Sequence, residues 1–119
     1  AAFELTSPVS MLRIEALHLS DNRPYMLEDR WVCLDTVPEI RDVDLEIHSA
    51  NEWLVLNRPY TRCDLRFYAI SADQKMSEML GAKIGDALLL IERSTWIDGA
   101  PITTVKTITT PGYQLLTSS

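Results

Sequence analysis

The chain has 119 residues and a formal charge of −6, with an isoelectric point near 4.8. That length holds one domain whose core needs no disulfide or metal staples. The acidic balance excludes a piece that grips a phosphate backbone on its own, because nucleic-acid binders carry a basic face. Arginine outnumbers lysine, 8 to 3, which supplies planar forks suited to carboxylates as well as ordinary surface ion pairs. Cys33 and Cys63 lie in strand-like runs without paired spacing and read as reduced core residues. His18 and His48 lack clustered partners at metal-ligand spacing, so neither a metal nor a cofactor is expected. No stretch reaches the length of a membrane span, and the opening Ala1-Ala2-Phe3-Glu4 is neither a signal peptide nor an initiator methionine. A cytoplasmic domain of a longer protein is expected, with residues 1–8 as a tail or linker and 9–119 as the folded unit.

From about Val9 to Leu19 the sequence alternates as a strand, with Leu12, Ile14 and Ala16 on one face and Arg13 and Glu15 on the other. The period blurs at Leu17-His18-Leu19, as at a bulge or in a strand covered on both sides. An Asp21-Asn22-Arg23-Pro24 turn follows. Tyr25 to Leu34 alternates again, with Tyr25, Leu27, Trp31 and Cys33 opposite Met26, Glu28, Arg30 and Val32. Asp35 to His48 is an irregular acidic connection with a short helical possibility at Pro38-Glu39-Ile40-Arg41. Ser49-Ala50-Asn51-Glu52 is a capping box that opens a helix through Trp53, Leu54 and Leu56, stopped at Asn57-Arg58-Pro59.

Arg62 to Ser71 is a third strand. A second capping box, Ser71-Ala72-Asp73-Gln74, predicts a helix through Met76, Met79 and Leu80 that ends at Gly81. Leu88 to Ile97 and Ile102 to Thr109 form a closing hairpin around Asp98-Gly99. Leu89-Leu90-Ile91-Glu92 stands at the same distance from Asp98-Gly99-Ala100-Pro101 as Leu12-Arg13-Ile14-Glu15 does from Asp21-Asn22-Arg23-Pro24, which points to a duplicated hairpin. The order β-β-α-β-α-β-β predicts an α+β fold, an antiparallel sheet with helices on one side.

Polar residues stand where a purely structural hairpin would carry aliphatics. His18, Glu28 and Arg30 face one another across the first hairpin, either as a ligand-orienting cluster or as an exposed ion pair beside a lone histidine. The helix start at Ser49 and Asn51 is either an anion site or plain capping. Arg93 in Glu92-Arg93-Ser94-Thr95-Trp96 is either a buried pair with a carboxylate or a ligand clamp. Threonines from Thr103 to Thr110 fit a strand by propensity, and their hydroxyls also suit a cavity wall. No phosphate loop, nucleophile elbow or paired carboxylates at catalytic spacing is present, so an enzyme is not expected.

Taken in order, Asp21 through Val32, Asn51-Glu52-Trp53-Leu54, Arg93-Ser94-Thr95-Trp96 and Pro111-Gly112-Tyr113 resemble the effector-binding UTRA domain of GntR-type transcription regulators, most nearly the HutC branch typified by the histidine-utilization repressor. The most specific block is Pro24-Tyr25-Met26-Leu27-Glu28-Asp29-Arg30-Trp31. The resemblance implies a chorismate lyase-like fold enclosing a small-molecule pocket, a homodimer, and DNA binding only through an N-terminal winged helix-turn-helix absent from this chain. It implies a repressor that senses urocanate or a related small carboxylate; no membrane contact is expected, for want of a span-length stretch. Carried over by position, the pocket residues are His18, Glu28, Ser49, Asn51 and Tyr113, with Arg30, Arg93 and Thr107 beside them. The likeness departs in the third strand, at Leu65 and Tyr68 in place of an implied His and an acidic residue, and at Arg93-Ser94 in place of a double Arg. Two other classes fit the same fold: a lyase acting on a small aromatic carboxylate with Glu28 as its proton-transfer group, and a domain kept for dimerisation alone.

Overall fold

The computed structural model describes residues 10–118; the expected tail at residues 1–8, and Val9 of the first strand, lie outside them. Strands β1 (Met11–Ser20), β2 (Arg23–Cys33), β3 (Arg62–Ser71), β4 (Ala87–Ile97) and β5 (Ala100–Thr109) alternate with helices α1 (Ala50–Asn57) and α2 (Gln74–Leu80), and a 3-10 turn covers Pro38–Asp42. The strands form one sheet in the order β1-β2-β5-β4-β3, antiparallel throughout. This is the α+β architecture expected from the sequence.

The two hairpins share more than sequence spacing. Each turns on two residues with positive φ, Asp21 and Asn22 in the first, Asp98 and Gly99 in the second. That geometry matches the twist of the flanking strands and favours Asn, Asp and Gly. Each then carries a bulge just past its proline. Tyr25 is skipped between His18↔Met26 and Leu19↔Pro24, and Ile102 is skipped between Thr95↔Thr103 and Trp96↔Pro101. The blurred period at Leu17-His18-Leu19 is therefore a bulge and also a strand covered on both sides, with Leu17 packed into one core and Ile14 into the other.

Both faces of the sheet are covered, so the helices divide between them instead of gathering on one side. Leu27 and Val32 are an odd number of steps apart on an unbroken strand and point to opposite faces. Leu27 joins Leu88, Leu90 and Ile108 beneath α2, with Met76 and Met79 packed against them. Val32 joins Val37, Ile40, Leu54 and Ile102 beneath α1 and the 3-10 turn. Each apolar row requires its own cover, which the alternation at Tyr25 to Cys33 had assigned to one face alone. Two smaller expectations also change. Cys63 is half-buried, outside the core that holds Cys33, and Leu56 lies exposed on the outer side of α1.

Ser49 caps α1, its Oγ accepting from the Glu52 amide at 3.1 Å. At α2 the cap is Asp73, whose Oδ1 accepts from the Met76 amide at 2.9 Å, and not Ser71, which remains the last residue of β3. The strand continues through Ser71 because Ser71 still pairs with Ala87. Gly81 closes α2 in the left-handed conformation expected of it. Asp73→Ala is expected to cost about 1 kcal/mol in urea unfolding, and Ser71→Ala, on an exposed strand end, less than about 0.5 kcal/mol.

Candidate functional site

The face of the sheet beneath α1 carries the polar residues in cross-strand rows. Ala16, Glu28, Thr107, Ile91 and Phe67 form one row across all five strands; Ile14, Arg30, Val105, Arg93 and Leu65 form the next. The period of two in each strand places these side chains on one surface. The start of α1 lies over part of it, leaving a cavity of about 380 Å³ between helix and sheet. His18, Glu28, Arg30, Ser49, Asn51, Arg93 and Thr107 all line it. Tyr113 does not. The chain leaves the sheet at Thr109, turns through Gly112 at φ +80°, and holds Tyr113 in that turn by its amide to the Thr110 carbonyl at 3.2 Å.

One end of the cavity is a cluster of charged groups. Arg30 is only 2% exposed, its Nε donating to Glu28 Oε2 at 3.1 Å and its Nη1 to Thr103 Oγ1 at 3.3 Å. A buried guanidinium without such partners would carry a large desolvation cost, so Glu28 is a structural counter-ion as well as a cavity wall. The carboxylate's other oxygen stands 3.4 Å from His18 Nε2. That nitrogen is itself buried and lacks hydrogen-bond geometry to any protein atom, so the contact is electrostatic proximity and not a formed bond. The surface ion pair that the sequence allowed as an alternative is excluded by the burial of Arg30.

Arg93 forms the other end. Its Nε donates to Cys63 Sγ at 3.4 Å, its Nη1 reaches Asn51 Oδ1 at 3.5 Å, and its guanidinium lies 5.2 Å from the Tyr60 ring centroid. The bond to Cys63 holds the Arg93 pKa above its ordinary value, against the opposing effect of burial. None of these partners is a carboxylate, so among the described residues Arg93 forms no ion pair. The buried pairing with a carboxylate left open by the sequence is not formed. The fork is oriented by neutral groups and pairs directly with neither Glu28 nor Glu52, the carboxylates that line the same cavity, an arrangement that leaves it available to an incoming carboxylate.

Leu65, Ile91, Val105 and Met26 supply the apolar walls. Their roles follow from register, since Leu65 lies opposite Arg93 and Ile91 opposite Thr107, a pairing that no single strand reveals. Cys63 and Tyr60, which fix the Arg93 fork, were equally hidden, because they meet it only when β3 pairs with β4. Of the two third-strand departures noted above, only Leu65 touches the cavity; Tyr68 faces the α2 core. Burial, chiefly, raises the Tyr68 phenol above its usual pKa, with Glu92 adding to the effect.

A polar pocket between a five-stranded antiparallel sheet and a covering helix, without a nucleophile or paired catalytic carboxylates, defines an effector-binding domain of the type carried by GntR-family transcription regulators. Residues 1–111 match the UTRA domain, and the chain belongs to that family. It is similar to the C-terminal domain of the histidine utilization repressor from Pseudomonas syringae, at 25% identity and a TM-score of 0.83, over 92% of this chain and 78% of that one. It is also similar to the ligand-binding domain of a putative GntR-family regulator from Bordetella bronchiseptica (18% identity, TM-score 0.75, 97% of this chain and 76% of that one). The effector-binding domain of the Bacillus subtilis trehalose repressor shares the fold at 11% identity and a TM-score of 0.77, over 92% of this chain and 78% of that one. These relatives are regulatory domains and not enzymes. No curated protein sequence matches significantly. No described helix is long and apolar enough to cross a membrane.

Proposed function

We propose that the domain senses a small carboxylate, urocanate or a metabolite of similar size, and that occupancy of the cavity alters operator binding by a winged helix-turn-helix on the same polypeptide, in a homodimeric repressor. The observation that carries this reading is the Arg93 fork, oriented by Asn51, Cys63 and Tyr60 and left without a carboxylate at the edge of the cavity. Arg93 receives the anionic end, with the α1 start at Ser49 and Asn51 adding favourable dipole. His18, Glu28 and Thr107 contact the polar end. Arg30 acts through Glu28 as a positioning residue, and Tyr113 has no part in the site. The effect on DNA is an equilibrium one, limited to the difference in effector affinity between the free and operator-bound forms, typically about 1–3 kcal/mol.

The test is a thermal-shift panel of urocanate, histidine, imidazole carboxylates and simple carboxylates. A ligand at roughly 100 times its Kd stabilises by about 2.7 kcal/mol, which moves the unfolding midpoint by several degrees. A stabilising carboxylate whose effect disappears in Arg93→Ala supports the assignment, and a panel without a stabilising carboxylate refutes it. Ser49→Ala is expected to lower stability by about 1 kcal/mol through the lost cap and to weaken the same ligand severalfold, read by calorimetry on the folded variant.

A further inference from the structure

The cavity is not the whole of the concave space on this face. A second cavity of about 290 Å³ lies between β1 and the chain that enters α1, and it shares His18, Glu28 and Ser49 with the first. The two lobes thus adjoin at these residues, where the buried ring nitrogen of His18 approaches the Glu28 carboxylate at 3.4 Å without forming a hydrogen bond.

The lobes differ in charge. Arg30 and Arg93 line the first together with Glu28 and Glu52; Glu28 is taken up by Arg30, and Arg93 is the cation there without a carboxylate partner. Among the described residues no lysine or arginine lines the second, which is bordered by Glu28, Glu46, His48 and the β1 stretch Ile14 to Ala16. Glu15, in that stretch, directs its carboxylate to Lys75 at 2.8 Å. Glu46 forms no ion pair among the described residues. The second lobe is therefore suited to a hydrogen-bond donor or a cation and opposes an anion, while the first is suited to a carboxylate.

We propose that the effector is an extended amino carboxylate spanning both lobes, its carboxylate at Arg93 and its amine beside Glu46, and that His18 is the residue that sets the length of ligand admitted. This rests on the carboxylate reading above and deepens it by naming the ligand's second charge and its length. The bulge that skips Tyr25 follows His18 directly, so the imidazole stands at a break in the ladder, where a side chain turns aside with few interstrand bonds to disturb.

The test is calorimetry on the whole chain with three series of probes: β-alanine, γ-aminobutyrate and ε-aminocaproate; propionate, butyrate and caproate; and the dicarboxylate adipate. The wild-type protein is expected to bind ε-aminocaproate roughly tenfold more tightly than caproate, the difference a charge-assisted bond supplies, and more tightly than β-alanine or adipate. His18→Ala, which joins the lobes, is expected to favour ε-aminocaproate over β-alanine still further. Glu46→Gln, at an exposed position that leaves folding intact, is expected to reduce the preference of amine over plain carboxylate to near unity. Equal binding of caproate and ε-aminocaproate, or a length preference unchanged in His18→Ala, overturns the two-lobe proposal while leaving a carboxylate site at Arg93 standing. Failure of every carboxylate to bind overturns both.

Discussion

Glu28→Ala is expected to destabilise the domain by about 3–5 kcal/mol, the cost of removing one partner from a buried ion pair. Arg30, 2% exposed in the native domain, would keep only the Thr103 hydroxyl of its two side-chain partners. A midpoint shift in urea with an unchanged slope is the expected signature. The pair is a unit, so Glu28→Gln combined with Arg30→Met should recover much of the loss, because replacing both charges with groups of similar shape avoids the desolvation cost. If Glu28→Ala alone costs less than about 1 kcal/mol, the pair is not a buried anchor. The double variant also separates folding from sensing: it should fold and still bind a carboxylate through Arg93, while the Glu28 carboxylate no longer holds the ligand's polar end.

Arg93→Ala is expected to produce the converse pattern. Its partners are neutral and its side chain is partly exposed, so stability should change by no more than about 1 kcal/mol. Carboxylate affinity should fall by about 1.5–3 kcal/mol, roughly 10- to 100-fold in Kd. Arg93→Lys is expected to restore little of that loss. A lysine keeps the charge but not the planar fork that Asn51, Cys63 and Tyr60 orient, and bidentate recognition depends on the fork. Unchanged affinity in Arg93→Ala would place the ligand elsewhere.

Much of this arrangement was legible before the fold was known, and for identifiable reasons. The hairpin turns were readable because Asp21-Asn22 and Asp98-Gly99 are among the few pairs that tolerate positive φ at both positions. Glu28 and Arg30 fell on one face because a strand has a period of two, and the first helix was marked by Ser49. The second helix start was misplaced by two residues, since Ser71 and Asp73 are both competent caps and only pairing with Ala87 decides that Ser71 stays in the strand. The division of the helices between two faces was hidden in β2. Leu27 and Val32 carry opposite faces with equal hydrophobicity, and a strand buried on both sides has no alternation to read.

Within the site, local sequence carried the charged residues but not their partners. Arg93 was recognisable as an arginine inside a strand. That its neighbours would be Cys63, Tyr60 and Asn51, and not a carboxylate, depends on how β3 and α1 meet β4. Tyr113 went the other way. It was assigned by resemblance alone, and the turn at Gly112 carries it off the cavity.

A carboxylate is expected to bind on the α1 face of the sheet beside Arg93. Amide and methyl chemical-shift mapping of the labelled domain during titration with a small carboxylate that stabilises it tests this most directly. Perturbations are expected to concentrate at Asn51, Ile91, Arg93, Val105 and Thr107, with the α2-facing Leu88, Leu90 and Ile108 unmoved. Perturbations confined to the α2 face, or spread without focus over the exposed surface, would contradict it.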